Sequence, residues 1–292
     1  MDQSWGGRRV AVTGAAGFIG SHLVERLLER EADVTAFVRY NSRGEKGLLA
    51  VEHDRLAIVR GDVRDLETIT GLVADVDVIF HLAALVGIPY SYIHVGEVVA
   101  VNVLGTLNIL TAAKEAGLER VIIASTSEVY GNAHFVAMDE SHPRQPQPPY
   151  AGSKVASDAI AASFHAAFEV PVTIVRPFNT FGPRQSDRAI IPTIISQALV
   201  RDEVVLGNLT PRRDFTYVAD TAEGFIAAAE SSATIGEELN LGSGVDISVG
   251  ELAPKIGELL GRALKVTESE ERVRPRRARS TACSRTTHGR EA

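Results

Sequence analysis

The sequence predicts an α/β fold, a doubly wound parallel sheet with a smaller C-terminal substrate lobe, on three observations. Short β-branched runs alternate with helical stretches over residues 1–176, as parallel strands buried on both faces do. A glycine-rich turn, Gly14-Ala-Ala-Gly17-Phe18-Ile19-Gly20, stands between the first run and the first helical stretch. From Pro177 the alternation stops, and apolar helical pieces are separated by loops.

Each element has its own signal. Arg9–Thr13 reads as a buried strand and Phe18–Arg30 as the helix after it. Ala32–Val38, Leu56–Val59, Val76–Phe80, Arg120–Ser125 and Val172–Val175 read as five further strands. Helical stretches lie between most of them, notably over 97–116 and 150–169. The proline-rich stretch 143–149 reads as an extended loop leading into the second of these. Ile190–Leu199 and Val249–Leu260 are helical pieces of the region 177–274, some late strands of which return to the core. After Arg274, residues 275–292 contain no Val, Ile, Leu, Met or aromatic residue, so they cannot bury a face and are expected to be disordered.

Composition narrows the function classes. The chain has 292 residues and a formal net charge of −7, which argues against nucleic acid as the main partner. Cys283 is the only cysteine, so neither a disulfide framework nor a cysteine-based zinc site is expected, and no cluster has metal-ligand spacing. The N-terminus lacks the apolar region of a signal peptide, and no uninterrupted apolar stretch is long enough to span a membrane. These readings predict a cytoplasmic protein without membrane or metal.

The motifs carry the chemistry. Gly14-x-x-Gly17-x-x-Gly20, after a strand and opening a helix, has the context of a dinucleotide fingerprint: Gly14 for the tight turn, Gly17 for approach to phosphate, Gly20 for helix–sheet packing. Phe18 and Ile19 lie within it, and the free N–H groups of the helix start suit a pyrophosphate. The end of the second strand reads Val38-Arg39-Tyr40-Asn41, with no acid for a ribose 2′-OH, so Arg39 tilts the NAD(P) choice toward NADP. Asp62 and Val63 are placed to flank the adenine. His81-Leu82-Ala83-Ala84 ends the fourth strand, where small residues let a cofactor lie against backbone. His81 itself reads as packed, and Asn102 as holding backbone near the site.

Tyr150 and Lys154, at i and i+4, share one helix face, where the ammonium can lower the phenol pKa. Such a phenolate can take a sugar hydroxyl proton while hydride leaves the same carbon for nicotinamide. Ser125-Thr126-Ser127-Glu128 lies at the carboxyl end of the fifth strand, the edge where open α/β sheets bind ligands. Thr126 can donate to the sugar oxygen that Tyr150 deprotonates. Glu128 adds a carboxylate that a simple dehydrogenase does not need, but that removal of a proton next to a new ketone does.

With these motifs, and with Arg176-Pro-Phe-Asn179, Arg213-Asp-Phe-Thr-Tyr-Val-Ala-Asp220 and Asn240-Leu-Gly-Ser-Gly244, the chain from about Arg9 to Arg274 resembles the extended short-chain dehydrogenases/reductases that act on nucleotide sugars. These are the NAD-dependent epimerase/dehydratase family. Ser-Thr-Ser-Glu-Val-Tyr-Gly is similar to the 4,6-dehydratases among them, of the N-acetylglucosamine (legionaminic-acid) or GDP-mannose type. The resemblance implies a Rossmann core, tightly bound NAD(P), a nucleotide-sugar substrate and a homodimer built on the helices of 97–116 and 150–169.

It also implies roles. Tyr150, assisted by Lys154, deprotonates the C4 hydroxyl while Thr126 positions it. Glu128 removes the C5 proton, and Ser127 or protonated Glu128 assists loss of water from C6. Asn179 and Arg213 hold the substrate phosphates, the arginine through its fork of donors. A 4-epimerase shares the glycines, Tyr150 and Lys154 without needing the glutamate. The tail from 275 departs from the family pattern, as a frameshift or truncation would. On that reading the chain binds cofactor with weakened substrate affinity, or is an inactive cofactor-binding protein.

Overall fold

The structure is a computed structural model that describes residues 5–135 and 138–269; the atypical tail at 275–292 lies outside them. The first half alternates as predicted: β1 (Arg9–Thr13), α1 (Phe18–Glu29), β2 (Asp33–Arg39), β3 (Leu56–Gly61), α2 (Leu66–Val73) and β4 (Val78–His81). It continues through α3 (Ile88–Ile93), α4 (Val95–Val99), a π-helical turn (Ala100–Leu104), α5 (Gly105–Ala116), β5 (Arg120–Ala124), a 3-10 turn (Ser127–Tyr130), α6 (Pro149–Phe168) and β6 (Val172–Pro177). Then come β7 (Asn179–Phe181), α7 (Ile190–Val200), β8 (Glu203–Leu206), β9 (Arg212–Tyr217), α8 (Val218–Glu230), β10 (Glu238–Leu241), β11 (Asp246–Ser248), α9 (Val249–Leu259) and β12 (Lys265–Glu268).

The main sheet runs β10-β6-β5-β4-β1-β2-β3, parallel throughout. Period-2 alternation sorts its side chains into two layers. Val10, Val12, Val78, Phe80 and Ile122 face the layer shared with α1 and α8. Ala11, Ile79, Val121 and Ile123 face the layer shared with α2, α5 and α6. A third cluster lies outside the sheet, where Ile194 and Ala198 of α7 meet Leu252 and Ile256 of α9 over β8.

The seventh strand, β10, comes from the region beyond Pro177 and returns to the core beside β6. Two further features were not read from the sequence. The Val218–Glu230 stretch forms a helix on the core. Finally, α4, the π turn and α5 form one continuous helix, Val95–Ala116, apolar and long enough by length and composition to cross a membrane. Its Ile109, Leu110, Ala112 and Ala113 are buried in the core layer under the sheet, which accounts for the apolar composition.

Candidate active site

Gly14 begins the site because only glycine fits there. Its φ is +70°, and a Cβ would stand 2.8 Å from the backbone of Leu82 and Ala83. A Cβ on Gly20 would collide with the Gly14 carbonyl oxygen, so the turn and α1 pack backbone to backbone. Gly17 is the N-cap of α1 and offers no side-chain cap, and no acid stands in the first turn. The positive helix end is thus open to an anion.

A cavity of about 520 Å³ runs from this turn along the carboxyl edge of the sheet. Gly14, Gly17, Phe18, Ile19, Gly20, Arg39, Asp62, Val63, Leu82, Ala83 and Ala84 line one part, Thr126, Tyr150 and Lys154 the other. Every residue the sequence nominates for the dinucleotide is therefore brought to one space, and the cradle suits a pyrophosphate. The Asp62 carboxylate is engaged by Arg64, whose Nε and Nη2 donate at 2.9 and 2.6 Å. That pairing is the main reason its pKa lies below the usual carboxylate value.

The fourth-strand histidine is structural. Ala83 N–H donates to Thr13 Oγ1, which lies 2.8 Å from His81 Nδ1. His81 Nε2 lies 3.2 Å from Thr106 Oγ1, whose own proton goes to the Asn102 carbonyl. The chain of bonds fits one neutral tautomer, with the proton on Nε2. Burial, and then the Lys154 charge, pushes the His81 pKa down to about 3. Asn102 sits in the π turn and holds Leu85, a cavity residue, through both backbone groups. It also donates to Ser153 Oγ on α6.

Tyr150 and Lys154 lie in the first turns of α6, 7% and 4% exposed. Pro149 at the helix start fixes the entry of the chain. Lys154 Nζ donates to the Ala124 carbonyl at 2.5 Å. Burial pushes the Tyr150 phenol well above its usual value; the Thr126 hydroxyl partly offsets this, while Glu128 and Asp158 add to it. Burial also brings Lys154 down to about 8, against the opposing pull of Asp158. Desolvation thus acts against the charged form of both groups.

Thr126 caps the 3-10 turn, accepting from Glu128 N–H at 3.2 Å. The turn carries Glu128 to a second cavity of about 470 Å³, which it lines with Asn179, Arg188, Arg213 and Phe215. Thr180 borders both cavities. Ser127 is the exception among the nominated residues, since it is buried and lines neither cavity. Asn179 Nδ2 donates to the Asp214 carbonyl. The Asp214 carboxylate accepts from Ser243 N, Ser243 Oγ and Gly244 N, so the two late motifs join across the lobe. Arg188, Gln185, Thr193 and Asn208 were missed as lining residues. Only the charge of Arg188, just before a matched stretch, could have marked one of them. Among the described residues no group of three or more His, Cys, Asp or Glu could hold a metal ion.

The family model described as GDP-mannose 4,6 dehydratase matches residues 11–290. The chain belongs to the nucleotide-sugar dehydratase/epimerase family of extended short-chain dehydrogenases/reductases. Within this family, the chain is 36% identical to the low-salt glycan biosynthesis protein Agl12 of Haloferax volcanii over 86% of its length and 82% of the relative's. It is 34% identical to the dTDP-D-glucose 4,6-dehydratase of Mus musculus, over 90% of this chain and 76% of that protein. Among solved structures, the UDP-N-acetylglucosamine 4-epimerase of Methanobrevibacter ruminantium superimposes with a TM-score of 0.88 at 30% identity, covering 97% of this chain and 90% of that one. DesIV of Streptomyces venezuelae, a dTDP-glucose 4,6-dehydratase solved with NAD bound, gives 0.84 at 31%, covering 95% and 88%. The family thus contains both dehydratases and epimerases on this fold, and structural neighbours bind NAD.

Proposed function

We propose that the chain is a nucleotide-sugar 4,6-dehydratase, converting an NDP-hexose, with UDP- or GDP-N-acetylglucosamine the leading candidate, to its 4-keto-6-deoxy derivative. The observation that carries this reading is Glu128, which lines the second cavity, has its backbone N–H bound by Thr126 of the first, and is near enough to Tyr150 to act on it electrostatically. An epimerase has no use for that carboxylate.

Gly14, Gly17 and Gly20, with Arg39 and Asp62, would hold NAD(P) in the first cavity, where it would supply a reversible hydride acceptor beside Tyr150. Tyr150 takes the C4 hydroxyl proton, and Thr126 orients that oxygen. Once C4 is a ketone, the C5–H is acidic and Glu128 removes it. Protonated Glu128 then serves the hydroxyl departing from C6. Asn179 and Arg213, in the second cavity with Arg188, hold the diphosphate. Residues 177–274 are thus mainly the substrate lobe, on a cofactor-binding core of 1–176.

Arg39 lines the adenosine end of the first cavity with no acid at the end of β2, which favours a 2′-phosphate and hence NADP. The chain forms a homodimer through its 95–116 and 149–168 helices, the first of which exposes Val95, Val99 and Leu104.

Incubation with UDP-GlcNAc, GDP-GlcNAc, GDP-mannose, UDP-glucose and dTDP-glucose, read by mass spectrometry and NMR, tests the reading. Loss of one water with a new 6-methyl signal is expected from one of them. An isomer of unchanged mass would replace this proposal with a 4-epimerase.

A further inference from the structure

We infer that Asp158, locked in place by Arg176, is a positioning residue for the reaction: it is the counter-charge that keeps the buried Lys154 protonated. The inference rests on the proposed role of Tyr150 and Lys154, and it concerns a residue outside both cavities.

The geometry is as follows. Tyr150, Lys154 and Asp158 stand at i, i+4 and i+8 and so share one face of α6. Asp158 is fully buried. Its Oδ2 accepts from Arg176 Nε at 3.1 Å and Nη2 at 2.9 Å. Its Oδ1 is buried, and Ser125 Oγ faces this carboxyl from the cofactor cavity and stabilises its charged form. A carboxylate gripped by a buried guanidinium, one helical turn along α6 from a buried ammonium, is arranged to act through its field. Arg176 is itself fully buried and is held from behind by Tyr130 Oη at 2.9 Å and by Glu238 at 2.9 Å. Charges therefore alternate through the core: Glu238, Arg176, Asp158, Lys154.

A buried pair of this kind is seldom retained for stability alone, because the desolvation of two charges offsets their attraction. Here it has a use. Lys154 has been desolvated, and among the described residues Asp158 is the charge that acts to raise its pKa. The other groups facing this region are His81 on β4, which is neutral, Tyr150 on α6, and Glu128 on the turn after β5. Asp158 also opposes ionisation of Tyr150 directly. That effect is weaker, because Tyr150 lies about 12 Å along the helix against about 6 Å for Lys154.

The test follows the ε-nitrogen NMR shift of Lys154 through pH in the protein without added cofactor, assigned by Lys154→Met. Asp158→Asn is expected to move the Lys154 midpoint to lower pH, while Asp158→Glu keeps it near that of the parent. In the first hydride transfer, the alkaline fall in rate moves the same way and kcat at neutral pH drops about tenfold or more, with KM changed less than about threefold.

Asp158→Asn leaves Arg176 buried without its partner. Should it not fold, the double variant Asp158→Asn/Arg176→Met decides instead. Its midpoint stays below that of the parent, since Asp158, and not Arg176, is the charge that acts on Lys154. An unmoved midpoint in whichever variant folds overturns this inference, even if kcat falls. If instead Tyr150→Phe leaves turnover intact in the parent chain, the proposed function fails rather than this step.

Discussion

Burial raises the Tyr150 pKa and lowers that of Lys154 beside it. The pair depends on what surrounds it, and this defines the residue-level tests. Tyr150→Phe should lower the first hydride transfer by about 10²- to 10⁴-fold while the cofactor still binds, as cofactor fluorescence titration would report. Glu128→Gln should abolish loss of water yet preserve reduction of the cofactor by substrate in a single turnover; equal loss of both steps would remove Glu128 from its role.

His81 sets an acid limit. Its folded pKa of about 3 lies below the ordinary 6.5, so the stability it contributes is full above pH 6.5 and is lost as pH falls toward 3. The loss amounts to a few kcal/mol over that window. Urea unfolding at stepped pH should show a decline that His81→Asn flattens. At this scale much was legible: the glycines, Tyr150, Lys154, Thr126 and Glu128 announce themselves by spacing. Ser127 did not keep its expected place, because the 3-10 turn rotates it inward between two residues that face the cavities. The Tyr150 pKa could not be read from spacing either, since desolvation depends on chain segments far away in sequence.

Among the elements, α1 and α9 show how local sequence positions remote chemistry. Gly20→Val should destroy cofactor binding, since even a Cβ collides with the Gly14 carbonyl, and calorimetric titration would show it. In α9, Ser248 and Glu251 form a reciprocal capping box. Ser248→Ala should cost about 1 kcal/mol, measured by denaturant unfolding, and leave hydride transfer unchanged.

The strands β1, β4, β5 and β6 were legible because they are buried on both faces and rich in β-branched residues, and the edge strand β3 by its Leu-Ala-Ile-Val run. β10 was not, because its Glu-Leu-Asn-Leu sequence carries little β preference; it is a strand because β6 offers an edge. α8 was hidden in a stretch read for its motif residues, and only its Phe225 and Ile226, buried against the sheet, reveal its amphipathic face.

For the molecule as a whole, one group of exposed apolar residues bears on assembly, while others, such as Leu199, Val200 and Leu259, lie on the lobe. In the first group, Tyr92, Ile93, Val95, Val99 and Leu104 lie on or beside the 95–116 helix, and Phe168 ends α6. A homodimer through this group predicts that sedimentation velocity gives twice the chain mass, and that Leu104→Asp shifts it to monomer. The parallel core could be foreseen from alternation alone, and a lobe from its loss after Pro177, but not the pairing of the lobe's strands. There β8 pairs with β12 and β9 joins β7 to β11, across loops whose sequences carry no period.

One consequence follows from Thr180, which touches both cavities. On the proposed function, the residues for proton and hydride chemistry belong to the sheet edge and α6, whereas the far wall of the second cavity belongs to α7, β9 and their loops. Selection could then rewrite the wall proposed to recognise the nucleotide while the reactive end stays fixed. In such a molecule, new substrate preference would arise from changes around Arg188 and Asn208, and new reaction outcome from changes at the single position of Glu128.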